Sequence, residues 1–251
     1  MTVAALVVGA GRGERFRADG GNTGGGGVRG GSAGAHSPRP KALVPLAGRS
    51  LLEWSVRALA ASPEVGLVVP VVAAEVLARL GEWAPGLSRE PKVGEAVAGG
   101  AERQDSVRAG LAALGPEVRW VAVHDAARPR VRASDVTRVV SRARETGAAI
   151  LAVPCPDTLK RVRDGRVIET PLRSELWAAQ TPQVFRRDWL EEAHAKAVAD
   201  GVVGTDDASL VEALGLPVEI VPGDPTNAKV TTAEDLAFVE VALARSGGAG
   251  R

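Results

Sequence analysis

Short unbroken apolar runs alternate along this chain with stretches that place an apolar residue every three or four positions. Val3–Val8 and Val65–Val72 are continuous runs of strand length, and 120–124 and 148–153 read the same way. Between them, Leu51, Leu52, Val56 and Leu59 form one helical face, opened by Ser50 with Glu53 at capping-box spacing. A short helix is expected near 74–80, another over 106–114, and a third over 134–146, capped by Ser134 and ended by Gly147. This order predicts an α/β fold: a mainly parallel, Rossmann-like sheet with helices on both faces. Right-handed crossovers gather the loops after the strands on one edge, where a site assembles. Helices over 188–200 and 207–214, a strand over 218–221 and a last helix opened by Thr231, with Glu234 three residues on, complete the pattern.

Two segments break the rhythm. Residues 18–38 hold nine glycines and almost nothing that packs, so a flexible loop is expected there. Residues 154–174 read as a hairpin turning at Asp164-Gly165, too poor in apolar residues to build its own core and therefore expected to project.

Composition narrows the chemistry. With 31 basic and 30 acidic residues the net charge is +1, which offers no bulk grip on nucleic acid. Cys155 is the sole cysteine, and His36, His124 and His194 show no paired spacing, so a disulfide or a Cys/His metal centre is not expected. No run is long enough for a membrane span and no signal-peptide pattern is seen, so a cytoplasmic protein is expected.

The chemistry-bearing residues fall at strand ends. Val121-Ala-Val-His-Asp125-Ala-Ala-Arg128-Pro carries a strand into a carboxylate and a guanidinium, a pattern that also fits a local ion pair. The first strand runs into Gly9-Ala-Gly-Arg-Gly-Glu-Arg15, a glycine turn whose N–H groups suit phosphate oxygens. It is not a dinucleotide fingerprint, because Phe16 stands where the third glycine belongs, and Lys41-Ala42 is not a Walker A ending. Gly99-Gly-Ala-Glu-Arg-Gln-Asp-Ser106 is another glycine turn entering a helix. Trp177 to Gln183 reads as a polar stretch beside an aromatic, and Thr205-Asp-Asp-Ala-Ser as a helix N-cap with acidic first-turn residues. No Ser-His-Asp or Cys-His nucleophile set is present. Asp125 is the best candidate to touch a metal or a ribose hydroxyl.

In order, the turn ending in Arg15, Pro40-Lys41, Gly99-Gly100 to Ser106, Val-His-Asp125-Ala-Ala-Arg128-Pro, Asp157-Thr158-Leu-Lys160, Trp177-Ala-Ala-Gln-Thr181-Pro-Gln, Thr205-Asp-Asp-Ala-Ser and Asn227-Ala-Lys229 closely resemble the 2-C-methyl-D-erythritol 4-phosphate cytidylyltransferases. The resemblance spans nearly the whole chain. It implies a nucleotidyltransferase domain over 1–251 that joins CTP to methylerythritol phosphate and releases pyrophosphate, with Mg²⁺ or another divalent cation. It implies a homodimer made through the arm at 154–174. By the same resemblance Arg15 and Lys41 stabilise the transition state at the α-phosphate, and Arg173 and Lys229 orient methylerythritol phosphate. Ala10, Gly11, Gly13, Gly100 and Ser106 match the CTP pocket, and Asp125, Arg128 and Thr181 match the erythritol and ribose region. Thr158 and Arg173, on the arm, would serve the partner's site. The chain departs from the family in having Val8-Gly9 for Pro-Ala and Ala42 for glutamine. Two rival readings stay open: a cytidylyltransferase for another polyol phosphate, such as ribitol 5-phosphate, and a CTP-binding regulatory protein without turnover.

Overall fold

A computed structural model describes residues 3–11 and 40–247. The glycine-rich stretch at 18–38, with Gly13 and Arg15, lies outside the described residues. The strands are β1 (Val3–Val8), β2 (Pro45–Leu46), β3 (Arg49–Ser50), β4 (Val65–Val72), β5 (Val97–Ala98), β6 (Trp120–Asp125), β7 (Ala148–Pro154), β8 (Arg161–Arg163), β9 (Arg166–Glu169), β10 (Trp177–Arg186) and β11 (Glu219–Pro222). The helices are α1 (Leu51–Ala60), α2 (Ala74–Leu77), α3 (Leu80–Trp83), α4 (Arg103–Ala112), α5 (Ala133–Thr146), α6 (Arg187–Ala199), α7 (Asp207–Glu212) and α8 (Ala233–Gly247).

Seven strands form one sheet in the order β11-β7-β10-β6-β1-β4-β5. All neighbours are parallel except β10, which runs antiparallel between β6 and β7. The fold is therefore the expected α/β sheet. Alternation along β1 explains the two layers: Val3, Ala5 and Val7 face one core with Leu52, Val56, Val136 and Val140, so α1 and α5 cover that side. Ala4 and Leu6 face the other with Val107, Leu111 and Leu190, so α4 and α6 cover it.

Several local signals act as read. Ser50 and Glu53 form the capping box of α1, with the Glu53 N–H donating to Ser50 Oγ at 3.2 Å and the Ser50 N–H to Glu53 Oε2 at 2.7 Å. Gly147 ends α5 at φ +98°, and the β8–β9 hairpin turns through Asp164 and Gly165, both at positive φ. Others are corrected. The 74–80 helix is two short helices, α4 begins at Arg103, and α5 begins at Ala133 without a Ser134 cap. At α8 it is Thr232 Oγ1 that accepts from the Asp235 N–H, at 3.2 Å, so Asp235 takes the place expected of Glu234.

The largest correction is β10. Residues 177–183 read as a polar stretch but form the first part of a strand, because Trp177–Ala179 pair with β7 and Gln183 enters the ladder with both β7 and β6. Its pairing to β7 passes from Ala179 opposite Ala152 to Gln183 opposite Ile150, a bulge that places Gln180 and Thr181 beside the end of β6. The β8–β9 hairpin pairs only with itself, and all its strand residues are exposed. No described helix is long and apolar enough to cross a membrane.

Candidate active site

Parallel pairing puts Val8 of β1 opposite Asp125 of β6, so the glycine turn and the carboxylate leave the sheet side by side. The Gly9 N–H donates to Val71 O at 2.7 Å, and the Ala126 N–H donates to Val8 O at 2.9 Å. A Cβ on Gly9 would lie 2.9 Å from that of Ala42, so the missing side chain lets the 3₁₀ turn carrying Lys41 close on the strand end. A second close approach sits at Gly99, where a Cβ would fall 2.5 Å from the Cβ of Ala10 and 2.6 Å from Ser106 Oγ. The Gly100 N–H then donates to Ser106 Oγ at 3.2 Å.

Asp125 is the hinge of the site. Its Oδ1 accepts from Arg103 Nε at 3.1 Å and its Oδ2 pairs with Lys229 Nζ at 2.7 Å. Arg103 Nη1 also donates to Asp207 Oδ2 at 2.7 Å, and Asp207 Oδ1 meets His194 Nε2 at 3.0 Å. A chain of alternating charge thus links the loop before α8, β6, α4 and α7, and reaches α6. Burial favours neutral acids, but Arg103 and Lys229 outweigh it and hold the Asp125 carboxyl well below its ordinary range. Burial also opposes the charge on Asp207, yet Arg103 and the His194 hydrogen bond hold its carboxyl below the usual range. Arg103, although largely desolvated, is raised by the Asp207 and Asp125 carboxylates.

His124 is fully buried beside this group. Its Nε2 meets the carbonyl of Arg128 at 3.1 Å and must donate, since a carbonyl only accepts. Its Nδ1 therefore accepts from the Thr181 hydroxyl at 2.9 Å, and Thr181 Oγ1 in turn accepts the Asp125 N–H at 3.0 Å. Burial is the main cause that pushes the imidazole down to about 4, so it is neutral at pH 7. Arg128 donates to the carbonyls of Asn227, at 2.8 Å, and Ala179, at 3.2 Å, which ties β6, β10 and the Lys229 loop together.

Two adjoining cavities open here. One, of about 170 Å³, is lined by Gly9, Gly11, Lys41, Arg103, Asp125 and Lys229 among others. The second, of about 270 Å³, takes in Arg128, Thr181, Gln183 and Asp206. Arg103, Asp125 and Lys229 line both, so the ion-paired triad stands between them. Away from this edge, a cavity around Leu80, Ala84 and Leu87 is mainly apolar.

The structure therefore brings together Gly11, Lys41, Asp125, Arg128, Thr181 and Lys229, and places Ala10, Gly100 and Ser106 on the adjoining glycine turns. Gly13 and Arg15 lie outside the described residues. Thr158 and Arg173 are exposed and line neither cavity; Arg173 Nη1 donates to Pro156 O at 3.1 Å. Among the described residues no group of three His, Cys, Asp or Glu side chains is placed to hold a metal. Asp125, the expected ligand, has both oxygens engaged by Arg103 and Lys229, so the described residues present no carboxylate cage for a resident ion.

Sequence reasoning passed over Arg103, Asp207, His194 and Gln183 as site residues. The 205–209 segment does cap α7, with the Ser209 N–H donating to Asp206 Oδ1 at 2.9 Å. The next residue, Asp207, turns inward instead and anchors Arg103. Gln183 Nε2 donates to Asp206 Oδ2 at 2.7 Å while its Oε1 accepts from the Ala208 N–H at 3.1 Å, fixing α7 to β10.

The family model for 2-C-methyl-D-erythritol 4-phosphate cytidylyltransferase matches residues 26–245. A 2-C-methyl-D-erythritol 4-phosphate cytidylyltransferase of Symbiobacterium thermophilum is 46% identical over 204 residues, which cover 81% of this chain and 84% of the relative. One of Pelotomaculum thermopropionicum is 42% identical over 98% of this chain and 96% of its own length. The crystal structure of the enzyme of that name from Thermus thermophilus superposes with a TM-score of 0.72 at 33% identity, covering 98% of this chain and 100% of that one. With its sheet, its glycine turns and its Asp125 junction in place, the chain belongs to the 2-C-methyl-D-erythritol 4-phosphate cytidylyltransferase family.

Proposed function

We propose that this protein joins CTP and 2-C-methyl-D-erythritol 4-phosphate into CDP-methylerythritol and pyrophosphate, acting as a cytoplasmic homodimer. The observation that carries the reading is the cavity in which Lys41, Asp125 and Lys229 meet beside the glycine turn. Backbone N–H groups and a lysine suit a triphosphate on the Gly9–Gly11 side. The adjoining space, with Arg128, Asp125 and Lys229, suits a hydroxylated phosphate.

An oxygen of the polyol phosphate attacks the α-phosphorus of CTP, the bond to the β-phosphate oxygen breaks, and pyrophosphate leaves. The nucleophile is already an anion, so no base is needed, in keeping with a neutral, internally bonded His124. Catalysis consists of in-line positioning and neutralisation of charge at the α-phosphate. Lys41 and Arg15 supply that charge, while Lys229, held by Asp125, and Arg173 orient the second phosphate. Ala10, Gly11, Gly13, Gly100 and Ser106 form the nucleotide side. Mg²⁺ or another divalent cation would enter on the phosphates of CTP and supply further charge neutralisation, with Asp125, already paired to Arg103 and Lys229, the one carboxylate we assign to it.

Thr158 and Arg173 act in the partner's site. Supporting this, Val162, Val167, Ile168 and Leu172 are each more than half exposed on a hairpin with no apolar contact surface of its own. Mixing Arg173→Ala with Lys41→Ala subunits tests it: half of randomly exchanged dimers are mixed and each keeps one intact site of two, so about a quarter of wild-type activity returns. No recovery after confirmed exchange means that Arg173 serves its own chain. The substrate reading is tested by pyrophosphate release with CTP and Mg²⁺. Turnover with methylerythritol phosphate well above that with ribitol 5-phosphate is expected; CTP binding with no turnover on either would leave a regulatory protein.

A further inference from the structure

Asp125 and Arg128 hang from one buried imidazole. The antiparallel pairing of β10 with β6 runs from Arg186 opposite Trp120 to Gln183 opposite Val123 and then stops. Continued in register, Thr181 would face Asp125, but the ladder ends at Gln183, where the pairing of β10 with β7 also shifts register. The Thr181 hydroxyl takes its place and accepts the Asp125 N–H. That hydroxyl has its own proton committed to His124 Nδ1, and His124 spends its one N–H on the carbonyl of Arg128. The imidazole is fully buried, and Thr181 is nearly so at the wall of the second cavity.

We propose that His124 and Thr181 are positioning residues for the polyol phosphate half of the reaction, setting the backbone of Asp125 and Arg128 through this relay. The Thr181 hydroxyl, which the family resemblance assigns to the substrate region, works by holding Asp125, and Asp125 by holding Lys229. The proposal rests on the substrate reading above. The donor order allows one tautomer only, Nε2–H with a bare Nδ1, so the relay has a spectroscopic mark independent of turnover.

The test is the pair Thr181→Val and Thr181→Ser, measured for steady-state kinetics and for the ¹⁵N resonances of the His124 ring. Valine keeps the volume but leaves the Asp125 N–H and His124 Nδ1 without partners. In that variant the KM for methylerythritol phosphate rises about tenfold and kcat falls by about as much, while the KM for CTP stays within about twofold. Its Nδ1 resonance moves toward that of an unbonded nitrogen. Serine restores both readouts to within about threefold of wild type. Kinetics unchanged in the valine variant, an unmoved Nδ1 resonance, or a serine variant as impaired as valine would each overturn the relay. Wild-type protein inert toward methylerythritol phosphate, with the Nδ1 shift still present in the valine variant, overturns the substrate reading and leaves the relay standing.

Discussion

The Asp125 junction and the β8–β9 hairpin are built in opposite ways. At the junction the charged groups close on one another within the chain, Lys229 on Asp125, Asp125 on Arg103 and Arg103 on Asp207, and Asp207 also meets the His194 ring. On the hairpin the strands have only each other, and its valines and isoleucine face outward. A pre-closed network fixes geometry before substrate arrives, which is how charge stabilisation avoids reorganisation at the moment of reaction. An open hairpin gains its geometry from what it meets. On the reading proposed above, the chain prebuilds the part of the site at its own sheet edge and leaves the contribution of the arm to assembly.

Arg103→Met attacks this contrast hardest, since it strands Asp207 and half of Asp125 without a counter-charge. Loss of one partner from a buried pair costs about 3–5 kcal/mol, so urea unfolding should show a drop of that order along with lost activity. A drop below about 1 kcal/mol would place the network at the solvated surface. Next comes Lys41→Ala, which removes a lysine lining the same cavity while keeping the Asp125 pairs: kcat should fall about 100- to 1,000-fold with the unfolding curve unchanged. Turnover near wild type at saturating CTP would remove Lys41 from the chemistry.

Acid probes the junction without mutation. With its folded pKa near 4 against about 6.5 unfolded, His124 binds fewer protons in the native state, so stability falls as pH drops from about 6.5 toward 4. The contribution is up to about 3 kcal/mol and disappears in a variant lacking the imidazole. The depressed Asp125 and Asp207 act lower down: their share is present above the unfolded carboxylate range and is lost as pH falls through their folded values. A flat profile between about pH 7 and 4.5 would mean that His124 is solvated. The smallest effect on stability belongs to the hairpin, where Ile168→Glu should shift unfolding by no more than about 0.5 kcal/mol. If the proposed homodimer forms through this hairpin, the substitution should nevertheless dissociate it in light scattering and cut turnover; a monomer that keeps full activity would dismiss the shared site.

Features encoded within a few residues could be read directly from the chain. Apolar runs named β1, β4, β6 and β7, the Ser50–Glu53 box named the start of α1, and Asp164-Gly165 named the hairpin turn, because periodicity, caps and turn chemistry are local. Ordered motifs also singled out Lys41, Asp125, Arg128 and Lys229, which the fold gathers around two adjoining cavities. It took the folded sheet to make the polar 177–183 stretch part of a strand, since its pairing comes from β7, joined by β6 only at Gln183, rather than from its own propensity. The same holds for Arg103, which pairs with Asp125, 22 positions on, and with Asp207, 104 positions on. Nothing near Arg103 in the chain marks those partners, and Asp207 carries the same local signal as the exposed acid of any helix cap. Only the fold, by desolvating these groups together, turns separate surface charges into one network.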